Sequence, residues 1–307
     1  MSERVVILCP GQGAQKVGMG RAWYERCAPS RAVFDTADAV LGDALGAPLS
    51  QLCFEGPAER LNQTDAAQPA LFAVGVAALR GIEELGTHLQ LEAAAGLSLG
   101  EYTALHLAGS FDFATGLEIV ALRGRAIQDA AQHSKGGMVA LTGADEDQVA
   151  EVCARSAQGG VLVGANYNAP GQIVLSGALG ACNRAVALCE ELGLRATPLA
   201  VAGAFHSPLM QPAADQLAER LLAVDVQVPV CPVLSNVTAA PHEPDPDSIR
   251  QRLVEQLTAP VQWSKSCQWL ASEMTGAFHE LAPGKVLTSL MRRIDRSKRV
   301  THHDEPD

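Results

Sequence analysis

The sequence lacks several features that define large classes of protein. Basic residues are scarce, since 23 Lys and Arg stand against 34 Asp and Glu and give a net charge of −11. A nucleic-acid-binding protein with a basic face is therefore not expected. No apolar run is long enough to span a bilayer, and the run after Met1 is too short for a secretory signal. We expect a cytoplasmic protein that binds neither nucleic acid nor membrane.

Clustered cysteines are also missing. The eight cysteines are scattered, and none forms a C-x-x-C pair or the Cys/His spacing of a zinc site. Several lie in apolar runs, which is typical of small buried side chains. We expect reduced thiols, no metal and no permanently bound cofactor. The 307 residues, 48% of them hydrophobic, suffice for a large core.

What the chain does contain is a Gly-x-Ser-x-Gly segment at residues 96–100, between an apolar run at 91–95 and a helical pattern at 102–108. Strand, Gly-x-Ser-x-Gly and helix in this order are typical of a nucleophile elbow. The glycines permit a sharp turn, and Ser98 would be exposed where helix N–H groups favour an anion. An ordinary turn before a helix explains the pentapeptide equally well.

A second glycine-rich loop, residues 10–15, follows an apolar strand pattern at residues 4–9. It permits three interpretations. A dinucleotide loop is disfavoured, because Lys16 stands where the third glycine of that motif is expected. A plain turn is possible, and so is a loop whose N–H groups complete the oxyanion hole of an elbow enzyme.

The pattern of predicted strands and helices changes after residue 135. Strand and helix patterns follow in the order β-α-β-β-α-β, which is ferredoxin-like. Strands are predicted at 138–142, 161–165, 172–176 and 195–201, with a turn at 166–171 and helices at 145–158 and 179–192. We therefore expect an α/β hydrolase-like body with a parallel-sheet core, residues 1–135 and 200–307, and an inserted ferredoxin-like α+β subdomain, residues 136–199.

Candidate partners for Ser98 lie on both sides of the predicted insert. His206 follows the insert, and nucleophile before histidine is the chain order of elbow hydrolases; a structural histidine at a domain junction is the alternative. Arg123 and Arg125 lie on a helix predicted at 113–131, where one could turn inward or both could be solvated. Further strands are predicted at residues 230–235 and 276–281, and a polar, frayed tail from residue 296.

Eight short segments, taken together, resemble one family: the malonyl-CoA:acyl carrier protein transacylases and related acyltransferase domains of fatty acid and polyketide synthases. They lie at residues 10–15, 96–102, 122–125, 168–172, 203–207, 235–238, 256–263 and 280–285. Each is weak alone, but their joint order is specific. The family fold, a hydrolase-like body with a ferredoxin-like insert, agrees with the pattern above.

The resemblance implies roles for individual residues. Ser98 would be the nucleophile and His206 its base, with the backbone N–H groups of Gln12 and Leu99 as the oxyanion hole. A main-chain carbonyl at Gln256 would orient the histidine. Arg123 would bind the malonyl carboxylate, for which a planar guanidinium is suited. Asn168 and Gln172 would also bind substrate, and Phe205 would select malonyl over branched acyl groups, with core packing as its alternative role.

The implied activity is transfer of malonyl from malonyl-CoA to the phosphopantetheine thiol of an acyl carrier protein for fatty acid synthesis. The chain departs from the family at Leu97, where histidine is frequent, and at Ala282, where glycine is frequent. A polyketide acyltransferase, a serine thioesterase or esterase, and a non-enzymatic carrier-binding scaffold remain alternatives. We expect a monomer. Acidic carrier proteins would dock on a basic cluster formed by Arg292, Arg293, Arg296, Lys298 and Arg299, and a solvated basic tail without a partner is the alternative.

Overall fold

The computed structural model describes residues 3–86, 89–201 and 203–306 as a mixed α/β protein with two sheets. Its strands are β1 Glu3–Cys9, β2 Leu89–Gly96, β3 Gly136–Thr142, β4 Leu162–Ala169, β5 Gln172–Ala178, β6 Arg195–Pro198, β7 Ala277–Leu281 and β8 Val300–His303. Its helices are α1 Arg21–Arg26, α2 Ala28–Leu41, α3 Leu49–Glu55, α4 Ala58–Leu61, α5 Thr64–Glu84, α6 Gly100–Leu107, α7 Phe113–His133, α8 Glu146–Ala157, α9 Leu179–Glu191, α10 Gln211–Leu222, α11 Pro246–Glu255, α12 Trp263–Glu273 and α13 Val286–Ile294, and residues 208–210 form a 3-10 turn.

The first sheet is parallel, with strand order β2-β1-β7-β8. The inner strand β1 is buried from Val5 to Cys9, which explains its continuous apolar sequence. The carboxyl ends of β1 and β2 lie side by side, since Cys9 pairs with Gly96. Helices α5 and α7 pack against each other in the main core beside this sheet. The expected parallel-sheet core is confirmed.

The second sheet is antiparallel, with strand order β4-β5-β3-β6. With α8 and α9 it forms the expected β-α-β-β-α-β unit, which has a separate core that includes Leu141, Val152 and Leu175. The ferredoxin-like pattern is thereby confirmed. The proposed domain limits, 1–135 with 200–307 and 136–199, stay predictions.

Three local predictions were wrong. The turn predicted at 166–171 is confined to Pro170 and Gly171, because β4 continues to Ala169 with two irregularities in its pairing to β5. Residues 230–235 form no strand but two isolated bridges, a parallel one between Val233 and Ala94 and an antiparallel one between Leu234 and Pro241. The tail predicted to fray instead contains β8, which is paired with β7 and followed by an ion pair between Lys16 and Asp304 at 2.6 Å.

The antiparallel sheet is joined to the body where β4 meets the segment before α12. The N–H of Tyr167 donates to the carbonyl of Val261 at 2.9 Å, and the N–H of Val261 donates to the carbonyl of Ala165 at 2.8 Å. This two-bond link explains why β4 extends beyond its predicted end. It also brings Asn166 and Asn168 towards the carboxyl ends of β1 and β2, where the candidate site lies.

Candidate active site

The turn between β2 and α6 holds Ser98 in a strained conformation. Its φ is +53°, in the left-handed region that non-glycine residues seldom adopt. The flanking glycines are required by close backbone approach. A Cβ on Gly96 would lie 1.8 Å from the carbonyl carbon of Gly100, and a Cβ on Gly100 would lie 2.1 Å from the carbonyl oxygen of Cys9. The Gly-x-Ser-x-Gly segment therefore has the sharp turn of a nucleophile elbow.

His206 approaches the serine from the chain that follows the insert. Its Nε2 lies 2.8 Å from Ser98 Oγ, and its Nδ1 lies 2.7 Å from the main-chain oxygen of Gln256. A carbonyl oxygen can only accept, so the ring proton is on Nδ1 and Nε2 is free to accept the serine proton. The φ of His206, +55°, is also in the left-handed region.

The surroundings of His206 favour its neutral form. The ring is buried, and burial, followed by the charge of Arg123, lowers its pKa to about 4. At neutral pH the imidazole is therefore uncharged and able to act as a base. A carbonyl partner orients the ring without supplying the negative charge that a carboxylate would add.

Arg123 lies on α7 with its side chain wholly inside the protein. Its Nη1 donates to Gln68 Oε1 at 2.7 Å, and its Nη2 donates to Gln256 Oε1 at 2.9 Å and to Ser98 Oγ at 3.1 Å. The guanidinium carbon lies 5.1 Å from the centroid of the Tyr102 ring. Arg125, two residues further along α7, is exposed.

The direct partners of the Arg123 guanidinium are all uncharged. Among the described residues, no Asp or Glu forms an ion pair with it, and Nε is buried without a hydrogen-bond partner. Burial lowers the pKa of Arg123. A buried cation with neutral partners is costly to hold. The site is thus suited to a ligand that brings its own negative charge.

A cavity of about 420 Å³ opens onto Ser98, Arg123 and His206. Its apolar wall includes Phe205, which packs against Met138 and Val174 of the antiparallel sheet. The cavity therefore lies between the two sheets. A substrate bound here would contact both parts of the molecule.

The remaining predicted site residues fall into two groups. Gln12 and Asn168 line the cavity, and Asn168 Oδ1 is buried without a partner in the described part of the chain. The N–H groups of Gln12 and Leu99 likewise make no hydrogen bond to any described residue. Gln172 begins β5, paired with Thr142 and Ala169, and is not brought to the cavity.

Several buried polar residues at the site were not singled out from the sequence. Asn236 accepts from the N–H of Ser98 at 2.6 Å and donates to the carbonyl of Gly96 at 2.7 Å, so it clamps the elbow. Gln68, which binds Arg123, is a polar residue within the apolar helix α5. This isolated polar residue was the one signal in the sequence that pointed to Gln68, because a buried amide needs a hydrogen-bond partner.

Neither a metal centre nor a membrane span is found within the described ranges. No three His, Cys, Asp or Glu side chains there are grouped so as to hold a metal ion. Of the helices that the structure describes, none combines the length and the apolar character needed to cross a membrane.

Comparison with known proteins assigns this site to a class of enzyme. Residues 6–303 match the family model described as the acyl transferase domain. The chain belongs to this acyltransferase family. The nucleophile elbow and the facing histidine agree with that class.

The individual relatives are more specific. The chain is 40% identical over 298 residues to the malonyl CoA-acyl carrier protein transacylase of Escherichia coli strain K12, covering 97% of this chain and 94% of that protein. A crystal structure of malonyl-CoA:acyl carrier protein transacylase from Xanthomonas oryzae pv. oryzae is 42% identical, with a TM-score of 0.93 and coverage of 100% and 96%. A malonyl-transacylase solved in complex with a type II polyketide acyl-carrier protein is 37% identical, with a TM-score of 0.93 and coverage of 99% and 97%.

Proposed function

We propose that the protein transfers a malonyl group from malonyl-CoA to the phosphopantetheine thiol of an acyl carrier protein, through a malonyl-serine intermediate. The observation that carries this proposal is the buried Arg123 guanidinium, whose direct partners are neutral and which lies 3.1 Å from Ser98 Oγ. A malonyl carboxylate would supply the negative charge that the direct partners of Arg123 do not supply. An ester or thioester without a carboxylate would bring no negative charge to this cation.

In the first half-reaction, His206 Nε2 takes the proton of Ser98 while Oγ attacks the thioester carbonyl carbon. The oxyanion accepts hydrogen bonds from the N–H groups of Gln12 and Leu99. The C–S bond then breaks, and the departing thiolate of coenzyme A takes the proton from His206. The malonyl group is left as an ester on Ser98.

The second half-reaction reverses these steps with a different thiol. The carrier thiol gives its proton to His206 and attacks the ester carbonyl. Ser98 leaves with that proton, and malonyl is now a thioester of the carrier. Phe205, on the apolar wall of the cavity, leaves little room for a branched acyl group, and Asn168 Oδ1 accepts from an amide N–H of the pantetheine arm. We assign no contact to Gln172.

The reaction needs no cofactor beyond the coenzyme A thioester itself. Fatty acid synthesis is the pathway that we infer, since the Escherichia coli relative is named for transfer to an acyl carrier protein. A polyketide carrier is the second candidate acceptor. The observation that supports it is that one structural relative was solved in complex with a polyketide acyl-carrier protein. Cytoplasmic location and a monomeric state stay predictions from the sequence.

Intact mass after incubation with malonyl-CoA tests the nucleophile. Ser98→Ala should remain unloaded, because no other group of the site replaces its Oγ. Ser176→Ala is the control: Ser98 is half-buried and Ser176 is fully buried, but the Oγ of Ser176 has no partner among the described residues, so loading should be normal. Loading of Ser98→Ala would refute the mechanism.

The arginine is tested in the same assay with malonyl-CoA and acetyl-CoA. Arg123→Ala should lower malonyl loading about 10- to 100-fold more than acetyl loading, since a charged hydrogen bond is lost for malonyl alone. Arg125→Ala, on the exposed side of the same helix, should change neither. Equal losses for both acyl groups would remove Arg123 from its role and favour an esterase or thioesterase.

A further inference from the structure

One buried residue connects the groups that carry out the reaction. Gln256 accepts from Arg123 with its side-chain oxygen at 2.9 Å, donates from Nε2 to the main-chain oxygen of Ser98 at 2.9 Å, and accepts from His206 with its own main-chain oxygen at 2.7 Å. An amide has an oxygen end and an NH₂ end. A single orientation of this side chain therefore serves both Arg123 and Ser98.

A carboxylate behind the amide holds that orientation. Glu101 lies in the first turn of α6 and is fully buried. Its Oε2 accepts from Gln256 Nε2 at 2.6 Å and from the N–H of Asn236 at 3.1 Å. A carboxylate only accepts hydrogen bonds, so Gln256 must turn its NH₂ end towards Glu101 and its oxygen towards Arg123.

His242 completes this arrangement. Its Nε2 lies 2.7 Å from Glu101 Oε1, and both side chains are completely inaccessible to solvent. The bond fixes the second oxygen of Glu101, so the carboxylate cannot rotate away from Gln256. Glu101 and His242 lie 141 positions apart in the chain and meet only in the folded protein.

The arrangement also separates opposite charges by one amide. Glu101 interacts electrostatically with Arg123 and favours its charged form, yet Gln256 stands between them. A carboxylate bonded directly to Arg123 would compete with an acidic substrate for the same donors. Held behind Gln256, it lowers the cost of burying the cation and leaves the guanidinium available.

We propose that Glu101, held by His242, is a positioning residue that sets selectivity for carboxylated acyl groups by fixing the orientation of Gln256 against Arg123. This inference rests on the proposed function, because it requires Arg123 to bind the acyl carboxylate. Without Glu101 only the main-chain oxygen of Ser98 holds the NH₂ end of the amide, so the amide turns over more readily, and its NH₂ group then faces the Arg123 guanidinium, donor against donor. The guanidinium would be displaced from the position that a malonyl group needs.

The test is a competition between equimolar malonyl-CoA and acetyl-CoA for Ser98, read by intact mass at early times. Glu101→Ala should lower the malonyl-to-acetyl loading ratio by about tenfold or more, which is the size expected when one hydrogen bond to a charged group is lost. Glu101→Gln keeps one acceptor oxygen for Gln256, so it should restore part of the ratio. If Glu101→Ala does not fold, Glu101→Met takes its place, since it is close in size and offers no oxygen to Gln256 Nε2, and a native ratio in Glu101→Met overturns the proposal.

Glu280→Ala is the matched control. Glu280 is an equally buried carboxylate, but it accepts from the N–H groups of Leu287 and Thr288 at the start of α13, at 2.7 and 2.6 Å. Its loss should lower stability and leave the loading ratio unchanged. A ratio that shifts in Arg123→Ala but not in Glu101→Ala would overturn this inference alone. A ratio that shifts in neither would overturn the proposed function as well.

Discussion

His206 is the residue whose titration should limit the reaction at low pH. Burial and Arg123 lower its pKa to about 4. The base is active when neutral, so kcat/KM for malonyl-CoA should stay level as the pH falls from 7 to about 5 and decline as it passes through about 4. The measurement is single-turnover acylation of Ser98 across this range. An acid limb centred near the ordinary histidine value of about 6.5 would contradict the geometry.

At this same scale, the sequence could place some site residues but not choose among others. The Gly-x-Ser-x-Gly turn is local, so its glycines and its strained serine were predictable. Arg123 and Arg125 are two positions apart on one helix and therefore point about 200° apart. If one of these arginines faces inward, the other must face outward. The packing of α5 against α7 decides which arginine is buried.

The buried residues around Glu101 could not be assembled from the sequence at all. Glu101, Asn236, His242 and Gln256 come from three separate regions of the chain. A buried polar side chain needs partners, but nothing in the local pattern states which distant residue supplies them. The family motifs included three of these four positions without indicating that they touch.

Among the elements, α8 gives the clearest relation between sequence and stability. Asp145 is its N-cap, and a capping box is complete: Asp145 accepts from the N–H of Gln148 at 2.8 Å and Gln148 accepts from the N–H of Asp145 at 3.0 Å. Asp145→Ala should lower the stability of α8 by about 1 kcal/mol. Native-state hydrogen exchange of the α8 amides measures this.

The control for the cap is Asp147→Ala in the same helical turn. Asp147 is exposed and interacts with the helix dipole without capping a backbone N–H, so its replacement should cost only about 0.3 kcal/mol. Equal effects of the two substitutions would show that charge near the helix start, and not the cap, stabilises α8.

The elements that were predicted wrongly are those whose pairing depends on residues far away in the sequence. The residues of β8 form a short polar segment with no apolar alternation, and they become a strand because the edge of β7 is available. The last residues of β4 are ordered by Val261 as well as by β5. In contrast, β1 has a continuous apolar sequence that predicted it directly.

On the scale of the whole molecule, the acidic net charge bears on how an acidic carrier protein would dock. The net charge is −11, but charges beyond about 10 Å are largely screened at 0.1 M salt, so a local basic surface outweighs the total. The predicted cluster is partly available. Arg292, Arg293, Arg296 and Arg299 are exposed, whereas Lys298 is half-buried, with Nζ donating to the carbonyl of Met274 and lying over the Phe278 ring.

The position of these exposed arginines relates them to the cavity. Arg293 donates to the carbonyl of Pro170, in the β4–β5 turn, at 3.3 Å, and α13 packs against β4. The same strand carries Asn166 and Asn168 to the cavity wall. A carrier bound to this surface would therefore lie beside the antiparallel sheet, against the strand that also supplies two residues of the cavity wall.

Charge reversal separates docking from chemistry. Arg292→Glu combined with Arg296→Glu should raise the KM for an acidic carrier protein about tenfold or more at low ionic strength, because attraction becomes repulsion. Malonyl loading of Ser98 from malonyl-CoA should be unchanged, since neither arginine lines the cavity. The difference between variant and native KM should shrink as salt is added.

A control variant must change the net charge equally without touching this surface. Arg31→Glu with Arg80→Glu does so on α2 and α5, whose arginines contact neither α13 nor β4. If the control raises the carrier KM as much as the Arg292/Arg296 pair, the total charge governs association and the basic cluster has no special part. If only the pair does so, and loading from malonyl-CoA is intact in both, the carrier docks at the C-terminal end of α13.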